Sequence, residues 1–268
     1  MQDVDGDTPL IVACNMTDEY LAARLLAAGC RVDAAGYEDN TALHRAAECG
    51  SVALVRLLVD RADADTGLTN AAGNTPLMVA AENGHVDVVS YLLQQRSAAA
   101  DRRSSLQWGN GEGKTCLHLA ALSGQVELVD VLLQAGVNAH DADSAGNTAL
   151  ALSVRSRNFD FASRLLQATS AAGSGGGCGL SASERVDYVN RQGELGRSAT
   201  HWAALHGAVG LLDELSAAVD GRLDVEARDV AGDTALLLAA KADRAAAQRR
   251  PTSQRSAANS VARRSTGP

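Results

Sequence analysis

The stretch GNTPLMVAAENGHVDVVSYLL, residues 73–93, decides the fold. Thr75 can cap a helix by accepting a backbone N–H, and Pro76 fits the first helical turn because it has no N–H to lose. Gly84 can end that helix, since glycine adopts the left-handed conformation at no steric cost. Val86 opens a second apolar segment, which closes on Leu92 and Leu93. The stretch therefore predicts two short helices joined by a tight turn.

The same pattern recurs along the chain. Its Thr or Ser anchors follow one another after 33, 34, 40, 33, 50 and 36 residues; they are Thr8, Thr41, Thr75, Thr115, Thr148, Ser198 and Thr234. A period near 33 with two insertions is typical of ankyrin repeats among helical arrays. Residues 3–240 resemble the ankyrin family on these motifs.

The resemblance implies an all-α fold, an ankyrin-repeat solenoid of stacked helix-turn-helix units with connecting β-turn or hairpin loops. One unit cannot bury its apolar face alone, so neighbours must stack. The resemblance also gives a scaffold role to the histidine of the Thr-x-x-His motif, which hydrogen-bonds between adjacent units. In this chain those residues are His44, His118 and His201.

The spacing divides the chain into several parts. Residues 1–168 hold repeats one to five, with an insertion near 97–107, and a Gly/Ser-rich insertion follows at 169–183. Residues 184–248 hold repeats six and seven, the last one truncated, and 249–268 read as a disordered basic tail. We expect the second insertion to set the last two repeats apart and to let them fray first.

Details within these parts are also predicted. Ser181 and Glu184 form a capping-box pattern, so a short helix should start there. Val32 and Val189 are expected in loops, and the first helix of repeat seven should run to about Gln248. The first repeat turn begins only a few residues after Met1, which favours a fragment of a longer product.

Charge and composition narrow the classes of partner. The net charge is −8, and the segment from Lys241 onward has seven basic residues and one acidic residue, so residues 1–240 carry about −14. Such an acidic body repels phosphate, so nucleic acid is not an expected partner. No apolar run suits a signal peptide or a membrane span. Five cysteines without zinc-site spacing indicate reduced thiols, hence an intracellular protein, cytoplasmic or nuclear.

Motifs of catalysis are missing from the sequence. It contains no H-E-x-x-H, no phosphate-binding glycine loop with Lys-Ser/Thr and no G-x-S-x-G. Cys178 lies in the Gly-rich segment with nothing nearby to activate it. We expect no enzyme activity, no cofactor and no metal.

Binding of a partner protein by a monomer is the remaining prediction. In ankyrin proteins, partners contact the loop tips and the exposed side of the first helices, on the concave surface. The matching positions here are Tyr37, Glu38, Glu48, Asn74, Glu82, Asn83, Trp108, Glu112, Lys114, Leu122, Arg155, Arg157, Arg197 and His206. Glutamates lie early in this series and arginines late, so the surface should be acidic at one end and basic at the other.

Two alternatives to a scaffold or adaptor stay open. The Ser198–Ala204 unit, SATHWAA, is similar to part of the Notch intracellular ankyrin domain, which favours a regulatory module of a signalling or transcriptional protein. The chain could also be the targeting part of a larger enzyme. By the same family resemblance, His140 and Asn190 occupy the loop position that an asparaginyl hydroxylase modifies in ankyrin repeats.

Overall fold

The chain forms a stack of paired helices in a computed structural model, which describes residues 3, 6–95, 109–170 and 180–249. The helices of these ranges, in chain order, are Pro9–Asn15 (α1), Glu19–Ala27 (α2), Ala42–Glu48 (α3), Val52–Arg56 (α4), Pro76–Glu82 (α5), Val86–Gln95 (α6), Cys116–Ser123 (α7), Leu128–Gln134 (α8), Ala149–Arg155 (α9), Phe159–Ser170 (α10), Ala182–Asn190 (α11), Ala199–His206 (α12), Val209–Ala218 (α13) and Ala235–Arg249 (α14). A π-helical turn, Leu57–Arg61, extends α4. The predicted all-α repeat solenoid is confirmed.

Each repeat unit contributes a first helix and a second helix. The first helices are α1, α3, α5, α7, α9, α12 and α14, and α14 has no second helix among the described residues. First helices of neighbouring units pack more closely on one another than most second helices do. This side of the stack is therefore the inside of its curve, and we call it the inner face.

The anchor threonines cap the first helices as predicted. The Thr8 hydroxyl accepts the Ile11 N–H at 3.3 Å, and the Thr148 hydroxyl accepts the Ala151 N–H at 3.3 Å. Proline stands at the first helical turn of α1 and α5, where its missing N–H costs nothing. These caps fix where each unit begins.

A left-handed residue ends the first helix of units one to six. It is glycine in four of them, with φ of 71° at Gly50, 78° at Gly84, 76° at Gly124 and 67° at Gly207. Units one and five instead place Thr17 and Arg157 in this conformation, with φ of 54° and 66°. Arg157 is a departure that the glycine rule does not explain, and it lies on the inner face.

One apolar core runs through the stack. It extends from Leu10 in α1 to Val219 after α13 and includes Phe161 and Leu165 of α10 as well as Leu211 of α13. Packing of α9 on α12 and of α10 on α13 carries the core past the Gly/Ser-rich insertion. The insertion does not interrupt the core. The predicted boundaries at 168, 183 and 248 remain predictions, and the insertion near 97–107 and the tail from 250 onward lie outside the described residues.

The helix α11 is an addition to the repeat pattern. Ser181 and Glu184 form the predicted capping box, with the Ser181 N–H donating to Glu184 Oε2 at 2.8 Å. Tyr188 and Val189 are buried in the core. The expectation of a loop at Val189 was wrong, because packing of Tyr188 and Val189 in the core carries this helix through Asn190.

The last helix, α14, runs to Arg249, one residue past the predicted end. Leu236 is 78% exposed and Leu237 46% exposed, although the equivalent Leu10 and Ile11 of the first unit are 1% and 0% exposed. The difference arises because no further unit among the described residues covers this end of the stack. No helix in the described ranges has both the length and the apolar character needed to cross a membrane.

Candidate protein-binding surface

Hairpin loops project from the stack just before each first helix. Each hairpin closes with a backbone bond across five residues, such as Asn70 N–H to the Asn74 carbonyl at 3.0 Å and Asp143 N–H to the Asn147 carbonyl at 2.9 Å. Neighbouring tips are joined as well, since the Ala71 N–H donates to the Glu38 carbonyl at 2.9 Å. Equivalent bonds join Gly111 to Ala72, Ser144 to Glu112, and Val230 to Leu195. The loop tips thus form a connected row along one edge of the inner face.

Asparagine side chains hold these hairpins together from within. The Asn70 amide donates to Asn40 Oδ1 at 3.0 Å, and the Asn110 amide donates to Asn74 Oδ1 at 2.8 Å. Asn74 is 9% exposed, and its carbonyl accepts from His44 Nε2 at 3.0 Å. Asn74, which was predicted to bind a partner, is thus almost buried, with its Oδ1 and its carbonyl bonded to neighbouring units, and its role in binding stays a prediction.

The three motif histidines bridge adjacent units. The Thr41 N–H donates to His44 Nδ1 at 3.2 Å, so the neutral ring carries its proton on Nε2 and donates it to the Asn74 carbonyl. His118 repeats the arrangement with the Asn147 carbonyl at 3.2 Å, and His201 with the Ala227 carbonyl at 3.0 Å. Burial lowers the pKa of His44 and His118, which keeps the rings neutral. Their scaffold role is confirmed.

The predicted residues of the early units lie exposed on the inner face. Tyr37 is 54% exposed, and Glu38, Glu48, Glu82 and Asn83 are exposed too. Glu48 pairs with Arg45 at 2.8 Å. Glu38 and Glu82 form no ion pair among the described residues, so this end carries uncompensated negative charge.

In the middle of the stack the predicted residues are less available. Glu112 is exposed, but it pairs with the half-buried Lys114 at the tip of its hairpin. Leu122 is half-buried and packs against the core. Trp108 lies outside the described residues.

The predicted residues of the later units converge on an indole that the prediction omitted. Trp202 of α12 is 8% exposed, and the guanidinium carbons of Arg197 and Arg155 lie 5.0 and 5.8 Å from its ring centroid. The His206 ring stacks on the indole at 6.4 Å, and its Nε2 bonds to the Arg155 carbonyl at 3.1 Å. We call Arg155, Arg197, Trp202 and His206, together with Arg157 in the turn that follows Arg155, the arginine–tryptophan cluster.

Ion pairs position two arginines of the cluster. Arg155 pairs with Glu194 at the following hairpin, and Arg197 Nε donates to Asp229 Oδ2 at 3.0 Å. Asp229 is 6% exposed, and the bond to Arg197 and the backbone N–H groups of Asp233 and Ala231 hold the pKa of its carboxyl below the ordinary value despite burial. Arg157 is exposed and forms no ion pair within the described ranges. Within the cluster it supplies a positive charge that no acidic side chain neutralises.

The junctions between units explain why the cluster sits where it does. At three junctions a polar side chain lies over the helix-ending glycine of the preceding unit and bonds to a carbonyl there: His85 to Glu48 at 2.8 Å, Gln125 to Glu82 at 3.4 Å, and Asn158 to Leu122 at 2.8 Å. At the fifth junction the equivalent residue is Ala208, which cannot form such a bond, and the glycine position holds Arg157. His206 takes over the bond to the preceding carbonyl.

The two residues aligned with a hydroxylation site lie in different settings. His140 follows α8, and its ring meets Tyr188 edge-on at 5.0 Å. The alignment implied a loop position for Asn190, but in the structure Asn190 is the last residue of α11. Its amide donates to the Arg222 carbonyl at 3.1 Å, and its Oδ1 accepts the Asp224 N–H at 2.9 Å. Their modification stays a prediction.

The outer face carries a groove of a different kind. It measures about 630 Å³ between α2 and α4 and is lined by Tyr20, Arg56 and Asp60, among others. Asp60 accepts the Tyr91 hydroxyl from the next unit, and Arg56 lies 5.2 Å from the Tyr91 ring. Burial, with Asp60 beside it, raises the pKa of Tyr91 to about 12. Opposite charges line this groove, since both Arg56 and Asp60 face it.

Clusters suited to a metal ion are not found in the parts of the chain that the structure describes, where no three His, Cys, Asp or Glu side chains come together in a suitable way. The side chains on the inner face suit contact with another macromolecule, because they combine exposed charge, an aromatic ring at a hairpin tip and a partly buried cationic cluster.

Comparison with known families places the chain among repeat proteins. A family model described as ankyrin repeats (3 copies) matches residues 1–70, 22–104, 62–143 and 100–173. The chain is 35% identical over 94 residues to the protein fem-1 homolog A-like of Mus musculus, covering 34% of this chain and 14% of that protein. It is 42% identical over 72 residues to the Notch-regulated ankyrin repeat-containing protein of Homo sapiens, covering 27% of this chain and 62% of that one.

A solved structure supports the same fold. The crystal structure of the human ASB11 ankyrin repeat domain superposes with a TM-score of 0.67 at 22% sequence identity, covering 87% of this chain and 92% of that one. The chain also spans only 18% of the B-cell lymphoma 3 protein homolog of Mus musculus, to which it is 40% identical over 84 residues.

Proposed function

This chain belongs to the ankyrin-repeat family, and from that premise we propose that it is a scaffold or adaptor that binds a partner protein along its inner face. Ankyrin repeats are generally modules of protein–protein interaction. The observation that carries the proposal is the separation of charge along one face. Among the described residues, Glu38 and Glu82 form no ion pair at one end, and Arg157 of the arginine–tryptophan cluster forms none at the other.

This separation favours an extended partner segment with a fixed direction. A basic stretch of the partner would face units two and three, and an acidic stretch would face units five and six. Complementary charge of this kind mainly selects the partner's orientation and speeds its encounter with the surface. Tyr37 offers an exposed ring near the acidic end, and rings of this type often carry a large share of binding energy.

Site-specific photo-crosslinking in cells tests the binding face. A photoreactive residue replaces Glu82 or Asn83 on the inner face, and Asp87 or Asp160 on the second helices as matched exposed controls. We expect the two inner positions to crosslink to the same protein and the two outer positions to leave it uncoupled. Equal crosslinking from both faces, or none from the inner face, would contradict the proposal.

Charge reversal then tests the direction of binding. With the crosslinked protein purified, Glu38→Lys with Glu82→Lys should weaken its binding and reduce the salt dependence of the association rate. Arg155→Glu should do the same from the other end of the surface. Variants that leave both quantities unchanged would show that the separated charges do not orient the partner.

The surrounding assignments belong to the same proposal. We infer an intracellular setting because Cys14, Cys30 and Cys49 are free cysteines in the described chain. We infer a monomer that acts by binding and not by catalysis. Because the chain spans 14% of the fem-1 relative and 18% of the B-cell lymphoma 3 relative, the same face could also act as the docking part of a longer protein, including a regulatory one.

A further inference from the structure

The fifth junction of the stack departs from the second, third and fourth junctions in two linked ways. Arg157 occupies the left-handed position that holds glycine in units two, three, four and six, with φ 66°. Ala208 replaces the polar residue that lies over this position elsewhere. At the fourth junction, for example, a Cβ on Gly124 would come within 2.8 Å of the Asn158 side chain. Ala208 is thus the small neighbour that leaves room for Arg157.

The backbone strain at Arg157 is a reason to look for a function of this residue. A residue other than glycine is strained in the left-handed region, and strain of this kind is common at functional sites, although Thr17 of unit one adopts the same conformation. The junction gains a positive charge at the rim of the inner face in return. Burial lowers the pKa of His206, the bond to the Arg155 carbonyl opposes this change, and the Arg157 charge acts in the same direction as burial.

Trp202 adds an independent sign of an incomplete site. Its indole Nε1 is buried and has no hydrogen-bond acceptor among the described residues, although the residue is only 8% exposed. A buried donor without an acceptor is destabilising, because it has lost its hydrogen bond to water. Arg155 and Arg197 lie against the same ring, so an acceptor that drew them aside would also reach the indole.

We propose that the arginine–tryptophan cluster is a subsite for an oxyanion side chain of the partner, either a carboxylate or a phosphate. The proposal rests on the proposed binding function and adds the chemistry of one contact. Guanidinium groups bind both kinds of anion through paired N–H donors. Arg155 and Arg197 each donate to one carboxylate of this chain. Arg157 donates to no acidic side chain among the described residues.

When the partner is absent, the Glu194 carboxylate occupies the place beside Arg155 that we propose for the ligand. Glu194 pairs with Arg155 from the following hairpin, and its side chain is 43% exposed. A partner oxyanion would compete with it for the same guanidinium. Removing the Glu194 charge should therefore strengthen binding, a gain that a purely structural role of the cluster does not predict.

Peptide titration tests the subsite on the full chain. Three twelve-residue peptides share one Ala/Ser/Gly sequence and differ at the central position, which is Glu, phosphoserine or Gln. The readout is the indole resonance of Trp202 in a nitrogen-15 spectrum, which has two indole signals and is assigned by Trp202→Phe. We expect Glu or phosphoserine to shift this resonance at millimolar peptide and to bind about fivefold or more tightly than Gln. The stronger of the two identifies the source of the oxyanion.

Variants separate the subsite from general electrostatics. Arg157→Gly should reduce binding of the anionic peptide to the level of the Gln peptide, and it relieves the backbone so that folding is not at risk. Glu194→Gln should strengthen binding severalfold. Arg164→Gln is the matched control, since Arg164 pairs with Asp130 between second helices, and it should leave binding unchanged.

The outcomes also separate this proposal from the proposed function. If Arg157→Gly and Arg164→Gln lower binding equally, or if no anionic peptide moves the Trp202 resonance, the subsite is wrong even where crosslinking finds a partner on the inner face. If crosslinking finds no partner there, the proposed function fails, and the titration still decides whether the cluster holds an oxyanion.

Discussion

At the scale of single residues, the left-handed position at the end of each first helix is the most telling. Glycine is the least strained residue at this position, and Arg157 is an exception on the inner face. We predict that Arg157→Gly raises the free energy of unfolding by about 1 kcal/mol while it weakens the binding of anions. Urea denaturation of both proteins measures the first effect.

The reverse change at a neighbouring unit is the control for that prediction. Gly124→Arg should destabilise the protein, because its φ is 76° and a Cβ there would lie 2.8 Å from Asn158. A neutral effect of Gly124→Arg would mean that the position tolerates side chains generally. Arg157 would then need no functional reason.

Buried histidines predict a pH dependence of stability. Burial lowers the pKa of His44 and His118 in the folded state below the unfolded value of 6.5, even though the Asp141 and Asp143 carboxylates near His118 act in the opposite direction. The unfolded chain therefore binds more protons as the pH falls through 6.5, so stability is full above this pH and decreases below it. Thermal unfolding between pH 7.5 and 5 should show this loss, and a His44→Gln, His118→Gln double variant should show less of it.

Sequence patterns at the level of single residues predicted the charged side chains of the cluster but not Trp202, the ring that Arg155 and Arg197 both contact. Arg155, Arg157, Arg197 and His206 were predicted from their repeat positions, and the structure brings Arg155, Arg197 and His206 to the Trp202 ring. Trp202 was missed, because its contacts with Arg155 join residues far apart in the chain. Its one sequence signal is a large ring at a position where other units carry Val, Arg or Leu. The sequence also did not predict the burial of Asn74, because this burial comes from a neighbouring hairpin that no local pattern shows.

At the scale of helices, α14 shows how strongly a neighbouring unit determines whether a side chain is buried. Leu238 is 4% exposed, whereas Leu236, two residues earlier in the same helix, is 78% exposed. We predict that Leu238→Ala costs about 2–5 kcal/mol in the local stability of unit seven and that Leu236→Ala costs little. Amide exchange in α14 reports both changes.

Because each unit contacts only its neighbours, the loss should stay near the end of the stack. Exchange in α5 and α7 should be the same in Leu238→Ala as in the unchanged protein. Faster exchange in those helices would show that unit seven supports the whole array.

The first residues of the helices could be predicted from the sequence, but the full length of the added helix α11 could not. The Thr-x-x-His and Ser-x-x-Glu patterns act within four residues, so the caps of α3 and α11 follow from the sequence. The course of α11 through Val189 and Asn190 depends on the burial of Tyr188 and Val189 in the core between units. Local periodicity does not contain that information.

At the scale of the whole molecule, the continuous core predicts an order of opening. Units five and six share packing between α9 and α12 and between α10 and α13. We predict that α12 and α13 exchange their amides at rates close to those of α9 and α10, and that α14 exchanges faster than all of them. Exchange measured by mass spectrometry over peptides from each helix checks this order. If α12, α13 and α14 open together, the insertion does divide the stack, as the sequence first suggested.

The bare end of α14 has a practical consequence for protein engineering. Leu236 and Leu237 present to solvent the same kind of surface on which every earlier unit receives its successor. A designed second helix for unit seven, followed by idealised repeats and joined after α14, would find a ready template there, and the earlier units would need no redesign. A longer array would carry more hairpin tips in register, and each added tip is a place to graft a new recognition residue beyond the reach of the present surface.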